Sequence, residues 1–107
     1  MKRISILYPR KEGAHFDMAY YVEKHMPRAI ALLSVHPGFR GVSVERGISG
    51  RLPGTEASYV AMCHYLFESE HDFMEAFLPH IAELQGDIPN YTDIEPVIQV
   101  NEVLITR

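Results

Sequence analysis

The chain has 107 residues, of which 47% are apolar and 22% are charged, and its formal net charge is −4. These values predict one domain spanning residues 1–107 and argue against a basic surface for nucleic acid or for an anionic membrane. No apolar run is long enough to cross a bilayer, and the single cysteine cannot form an internal disulfide, so we expect a cytoplasmic protein.

Hydrophobic patterns and turn residues predict six elements in the order strand, helix, strand, strand, helix, strand. In chain order they cover residues 3–8, 17–34, 39–48, 59–67, 69–86 and 96–105. Asp17 and Ser69 are good N-caps for the two helices, and Gly86 is the residue expected to close the second one. A loop rich in glycine joins the second and third strands.

This order contains two strand–helix–strand halves, which predicts an α+β, ferredoxin-like βαββαβ fold. Two right-handed crossovers give a four-stranded antiparallel sheet with both helices on one face. The other face would be left open to water, although the third and fourth strands carry apolar residues on both faces. Since soluble proteins rarely expose a large apolar patch, we expect two copies to pair through this open face as a homodimer.

The first predicted helix has a histidine at the centre of its apolar stripe. The stripe consists of Met18, Val22, His25, Ala29 and Leu33. Pro27 removes an amide donor, so the helix should kink or restart near His25, beside the freed carbonyl of Glu23. An imidazole there is a candidate general acid/base. Tyr21, one turn earlier, could orient it or hydrogen-bond the oxygen of a substrate.

The second predicted helix repeats this arrangement, because His80 lies on its apolar stripe and directly follows Pro79. Both helices pack on one sheet face, so His25 and His80 could line one ligand-binding space beneath them. The alternative for each histidine is a core residue satisfied by a carbonyl or a tyrosine. That alternative applies especially to His80, which lies at the edge of its stripe.

Three further side chains are candidate ligand-binding residues. His64 and Tyr65 alternate along the third strand, so one of them faces the helices while the other faces the dimer interface. Tyr91 lies in the long connection after the second helix and could rim a pocket, although a solvated acidic loop is the ordinary interpretation. The histidine spacings match no metal motif and no glycine loop matches a dinucleotide fingerprint, so we predict no metal and no cofactor.

Three segments of the sequence resemble the EthD family. Residues 16–27 (FDMAYYVEKHMP) are similar to its first-helix signature, residues 86–100 (GDIPNYTDIEPVIQV) to its C-terminal block, and residues 4–9 (ISILYP) to its first strand. Arg28 departs from the apolar residue that is more common at this position. The resemblance implies the dimeric α/β-barrel superfamily.

The resemblance implies several functions. The family is named for a bacterial cytochrome P450 system that degrades a fuel ether, and its members are often labelled reductases without an evident redox site. Similar barrels include isomerases, polyketide cyclases, cofactor-free monooxygenases and haem-degrading enzymes. We expect a protein that binds a hydrophobic or aromatic oxygenated molecule, with His25 as general acid/base. The alternatives are a non-catalytic accessory protein for a neighbouring oxygenase and an oxidoreductase.

Overall fold

A computed structural model describes all residues from 1 to 107. The strands are β1 (Lys2–Pro9), β2 (Phe39–Arg46), β3 (Tyr59–Phe67) and β4 (Val97–Glu102). The first helical region consists of α1 (Met18–Tyr20), a π-helical segment (Tyr21–His25) and α2 (Met26–Leu33). The second consists of α3 (Glu70–Phe77), a 3₁₀ turn (Leu78–His80), α4 (Ile81–Asp87) and a second 3₁₀ turn (Ile88–Asn90). None of these helices combines the length and the apolar character that a membrane span requires.

The four strands form one antiparallel sheet in the order β2-β3-β1-β4. This arrangement confirms the predicted ferredoxin-like α+β fold, the subunit fold of a dimeric α/β barrel. The predictions for β2 and β4 extended too far at their C-terminal ends. β2 ends at Arg46 and not at residue 48, and β4 ends at Glu102 and not at residue 105.

The core lies between the helices and one face of the sheet. Along β3 every second residue is buried against the helices: Ala61, Cys63, Tyr65 and Phe67. Ile4 of β1 and Leu33 of α2 are fully buried in the same core. The alternate residues of β3, from Val60 to Leu66, lie on the open face and are half-buried.

Both helical regions are interrupted at their prolines, as the sequence predicts. In the first, the amide of Met26 donates to the carbonyl of Tyr21, five residues back, and Pro27 follows with no amide hydrogen to donate. In the second, Pro79 lies in the 3₁₀ turn that separates α3 from α4. The same residue type therefore produces a wider turn in one region and a tighter turn in the other.

The prediction that Gly86 closes the second helix was wrong. Gly86 lies inside α4 and is not among the glycines with positive φ, so it does not adopt a left-handed capping conformation. The chain continues through Asp87 into the second 3₁₀ turn, and Pro89 fits the start of that turn. This continuation places the side chain of Asp87 against the first helical region.

Candidate functional site

A small, mainly apolar space lies between the helices and the sheet. This inner cavity has a volume of about 70 Å³, and four of the residues that line it carry polar side-chain atoms, namely Tyr8, His25, Tyr65 and Gln85. Most of its wall is apolar and includes Ile6, Ala29, Phe77, Ile88 and Ile98. The structure therefore brings together two of the predicted site residues, His25 and Tyr65, at one cavity.

His25 is held by a carboxylate from the second helical region. Its Nδ1 lies 2.9 Å from Oδ2 of Asp87, and the whole residue is only 8% exposed. An ionised carboxylate can only accept, so Nδ1 must be the protonated nitrogen. The neutral ring then has a free lone pair on Nε2, which makes no hydrogen bond within the chain. We call these two residues the His25–Asp87 pair.

Three donors converge on the carboxylate of Asp87. Tyr20 Oη donates to Oδ1 over 2.6 Å and Asn90 Nδ2 donates to the same oxygen over 2.9 Å, while His25 donates to Oδ2. Burial opposes ionisation of Asp87, but these hydrogen bonds outweigh it and lower its pKa. The hydrogen bond to Asp87 also raises the pKa of the Tyr20 hydroxyl. The pair therefore contains an ionised carboxylate at neutral pH.

A second, more open space lies on the other side of His25. This outer cleft has a volume of about 430 Å³ between the first helical region and α4, and it contains both members of the His25–Asp87 pair. Charged side chains from both walls line it, namely Lys24, Arg28 and Glu83. His25 and Leu84 line the inner cavity as well as the outer cleft, so they form the boundary between them.

The rings of Tyr21 and Tyr91 pack against the histidine, and Tyr8 and Tyr65 line the same inner cavity. The rings of His25 and Tyr91 are 4.7 Å apart, and the hydroxyls of Tyr8 and Tyr91 are 2.6 Å apart. Burial raises the pKa of Tyr8 to about 12 and also raises the pKa values of Tyr65 and Tyr91. These phenols are neutral hydrogen-bond donors near neutral pH.

Tyr21 is not the hydrogen-bond partner of His25. Its ring stacks against the histidine, with centroids 6.0 Å apart and planes within 14°, but its hydroxyl is buried without any partner. Burial raises the pKa of this hydroxyl as well. Tyr21 therefore packs against the imidazole, while Asp87 supplies the hydrogen bond that fixes the orientation of the ring.

The structure does not bring the other predicted site residues to the cavity wall. Tyr91 is fully buried beneath His25 instead of rimming a pocket mouth. His64 lies on the open face of the sheet, where its Nδ1 is 2.7 Å from the Ser5 hydroxyl, whereas Tyr65 faces the helices. His80 is half-buried in the 3₁₀ turn and lines neither the inner cavity nor the outer cleft.

Sequence reasoning missed the roles of Asp87 and Tyr20. Asp87 lies 62 residues after His25, in a stretch that reads as an acidic loop. A signal was available, since a buried imidazole needs a polar partner and Asp87 is the acidic residue next to the predicted end of the second helix. The incorrect prediction of a helix end at Gly86 concealed it.

One group of side chains elsewhere has the spacing of metal ligands, namely His36, Asp72 and Glu75. His36 already uses both ring nitrogens, because Nδ1 accepts from the amide of Gly38 and Nε2 lies 2.7 Å from Glu75. A metal ion on either nitrogen would displace one of these hydrogen bonds.

Burial raises the pKa of the Cys63 thiol to about 12, so it remains a neutral core side chain.

The fold is that of a dimeric α/β-barrel subunit, and sequence comparison gives the family. The EthD domain model matches residues 14–95, and the chain belongs to the EthD family. No curated protein matches the chain.

Solved structures agree with this assignment. The chain is 42% identical to an EthD-like protein from Ralstonia eutropha JMP134, with a TM-score of 0.90 over 99% of this chain and 94% of that one. An EthD-family protein from Bacillus halodurans is 19% identical, with a TM-score of 0.63 over 97% and 99% of the two chains. SnoaB, a cofactor-independent oxygenase from Streptomyces nogalater, shares the fold at 16% identity, with a TM-score of 0.62 over 98% and 93%.

Proposed function

We propose that this EthD-family protein binds a hydrophobic or aromatic oxygenated small molecule beside His25 and catalyses a proton transfer on it. The observation that carries this proposal is the His25–Asp87 pair at the boundary between the inner cavity and the outer cleft. Buried imidazole–carboxylate pairs are an established way to position a general base.

In the proposed step, Nε2 of His25 removes a proton from a carbon or hydroxyl group of the ligand. The imidazolium that forms donates through Nδ1 to Asp87, whose negative charge stabilises it over 2.9 Å. The negative charge that develops on the ligand oxygen would be stabilised by a neutral phenol. Tyr65 and Tyr8 are suited to this because both line the inner cavity and burial raises both pKa values.

The Tyr8–Tyr91 hydrogen bond supports this assignment. The two hydroxyls carry two hydrogens, and their single hydrogen bond uses one of them. Tyr8 lines the inner cavity, whereas Tyr91 is fully buried behind it. With Tyr91 donating to Tyr8, the hydrogen of Tyr8 is free to donate to a ligand.

We also propose that the active form is a homodimer joined through the open face of the sheet. On this face Leu7 of β1 pairs in register with Met62 of β3 and Val97 of β4, giving an apolar row across three strands. Val97 is 47% exposed in the isolated chain. Sedimentation equilibrium should therefore give about twice the chain mass of 12.2 kDa, and a monomer at micromolar concentration would contradict this part of the proposal.

The test of the function combines ligand binding with turnover. A thermal-shift screen of lactones, quinones and phenolic polyketide-like compounds identifies a stabilising ligand, because binding to the folded state raises the melting temperature. Loss of a general base lowers rates by about 100-fold or more, so His25→Gln should bind that ligand but turn it over at least that much more slowly. His80→Gln is the matched control and should keep full activity.

The accessory-protein alternative predicts a different result from the same experiment. Wild type would then bind a ligand without converting it, and His25→Gln would change affinity alone. If His25→Gln retained turnover, His25 would not be the general base. Including haem and flavin in the screen tests the oxidoreductase alternative, since a bound chromophore would appear in the visible spectrum.

A further inference from the structure

The inner cavity has an opening, and the position of this opening indicates what kind of molecule can reach His25. We propose that the ligand enters beside β4 and extends from the inner cavity into a groove at the start of that strand. It would be an elongated, uncharged molecule that carries its carbonyl or hydroxyl group at one end. The reaction at His25 rests on the proposed function, whereas the entrance and the shape of the ligand depend on geometry alone.

The β4 groove adjoins the inner cavity. It has a volume of about 640 Å³ and is lined by His15, by residues of the connection 88–96, and by Gln85 and Ile98 on either side of that connection. Four residues line both spaces and form the mouth between them, namely Gln85, Ile88, Pro96 and Ile98. Gln85 is exposed, Ile98 is 53% exposed and the other two are half-buried, so the cavity meets solvent on this side.

The boundary between the inner cavity and the outer cleft is closed by comparison. Only His25 and Leu84 line both spaces, and they are 8% and 6% exposed. Asp87 lines the outer cleft but not the inner cavity, so Nδ1 of His25 is directed toward the cleft. The two nitrogens of an imidazole point away from each other. This arrangement favours the inner cavity as the space from which a ligand reaches Nε2.

The volumes of the two spaces indicate an elongated ligand. The inner cavity of about 70 Å³ admits only a small group, whereas pockets that enclose a whole small molecule have about 300–1,000 Å³. The rest of the ligand must therefore lie beyond the mouth, where the β4 groove is large enough for it. Three of the four mouth residues are apolar, so the mouth suits an apolar chain.

The charges in these two spaces disfavour an anion. No lysine or arginine lines the inner cavity or the β4 groove. The groove contains the exposed carboxylates of Asp93 and Glu95, which give it a formal charge of −2 when His15 is neutral. A carboxylate or phosphate on the ligand would lose water there without gaining a cation as its partner. Uncharged molecules are therefore preferred.

The mouth stays free in the proposed homodimer. Ile98 pairs in register with Ile6, and both line the inner cavity on the helix side of the sheet. Val97, the preceding residue of β4, lies on the opposite face, through which the two copies would pair. Dimerisation and entry of a ligand therefore use different faces of the sheet.

The experiment measures the binding of 2-butanone, 2-hexanone and 2-octanone to the intact protein labelled with ¹³C in its isoleucine methyl groups. Each methylene that enters the mouth or the groove should tighten binding by up to about fourfold. The methyl resonances of Ile6, Ile88 and Ile98 should shift. Those of Ile48 and Ile105, which line neither space, should not.

Octanoate is the charged counterpart of 2-octanone and should bind about tenfold more weakly. An affinity that falls as the ketone lengthens would overturn the inference, because the ligand would then be confined to the inner cavity. Failure of all three ketones to bind, or equal affinities for octanoate and 2-octanone, would also overturn it.

Two tryptophan substitutions distinguish the two sides of His25. Ile98→Trp narrows the mouth at an exposed position of an edge strand, so it should weaken the binding of 2-octanone by about tenfold while the fold is retained. Gly86→Trp is the matched control, because Gly86 lines the outer cleft and a Cβ added there would meet no atom within 4 Å. It should leave the affinity unchanged. Unchanged binding in Ile98→Trp, or weakened binding in Gly86→Trp, would overturn the proposed entrance.

His25→Gln separates this inference from the proposed function. It should still bind 2-octanone and shift the same methyl resonances, because the mouth is unaltered. Normal turnover in His25→Gln, with the ligand identified in the screen, would refute the catalytic role and leave the entrance standing. Unchanged binding in Ile98→Trp would refute the entrance and leave the catalytic role standing.

Discussion

Two prolines interrupt the two helical regions, yet the histidines beside them have different surroundings. Near Pro27 the chain forms a π-helical segment, and His25 is buried, stacked on Tyr21 and hydrogen-bonded to Asp87. After Pro79 the chain forms a 3₁₀ turn, and His80 is half-buried and makes no hydrogen bond to a carboxylate, although its proximity helps to lower the pKa of Glu83. A histidine beside a helical interruption thus becomes a site only where a distant segment supplies a partner.

The largest expected contrast is in stability. His25→Ala removes a ring that packs 4.7 Å from Tyr91 and leaves Asp87 without one of its donors, so we expect a loss of about 2–3 kcal/mol in the free energy of unfolding. His80→Ala should cost less than about 1 kcal/mol because its side chain is half-buried and lacks such a partner. Urea denaturation of both variants measures the difference. Equal losses in the free energy of unfolding would show that the two histidines contribute equally to stability and would contradict this prediction.

The next contrast concerns the charge of Asp87 and its dependence on pH. The folded state lowers the pKa of this carboxyl, so its ionised form stabilises the fold fully above the ordinary value of 3.8. That stabilisation is lost as the pH falls through the lower, folded-state value. Asp87→Asn should therefore cost about 1–2 kcal/mol at pH 7 and progressively less in acid.

Glu83→Gln is the control for Asp87→Asn, because it breaks an exposed ion pair with Arg28. Its cost should remain below about 1 kcal/mol. Unfolding curves at a series of pH values would show whether the difference between wild type and Asp87→Asn closes below 3.8. A difference that is the same at all pH values would mean that the carboxylate charge is not what holds His25.

The smallest contrast lies between two buried tyrosines. Tyr21→Phe removes a hydroxyl that has no partner, so stability should be unchanged or rise by up to about 1 kcal/mol. Tyr8→Phe removes one member of the Tyr8–Tyr91 hydrogen bond and should cost about 1 kcal/mol. Thermal unfolding measures both. A clear loss in Tyr21→Phe would show that its hydroxyl has a partner and would restore it as a candidate site residue.

Sequence patterns were sufficient for the fold because each element carries its own signal. The alternation along β3 and the caps at Asp17 and Ser69 are local features, and both cap side chains do accept the expected backbone amides. The position of His25 on the inner face followed from helical periodicity. The sequence did not decide which face of the sheet His64 and Tyr65 each occupy, because alternation assigns neighbouring residues to opposite faces without identifying the face that the helices cover.

The partner of His25 could not be obtained from local patterns. Asp87 reaches the histidine only because α4 continues past Gly86, and that continuation depends on contacts between residues far apart in the chain. The outer cleft likewise exists only once the two helical regions are packed together. The position of His80 at the edge of its stripe favoured a core role for it, but no local pattern identified the carboxylate that holds His25.

The measurement that tests the central claim most directly is the tautomer of His25, read from long-range ¹⁵N–¹H NMR correlations of the neutral ring at about pH 8.5. The His25–Asp87 pair predicts a proton on Nδ1 and a free lone pair on Nε2. Asp87→Asn should weaken this preference, while His80→Gln should leave it unchanged. A proton on Nε2 in the wild type would contradict the account, because the nitrogen proposed as the base would then have no lone pair with which to accept a proton.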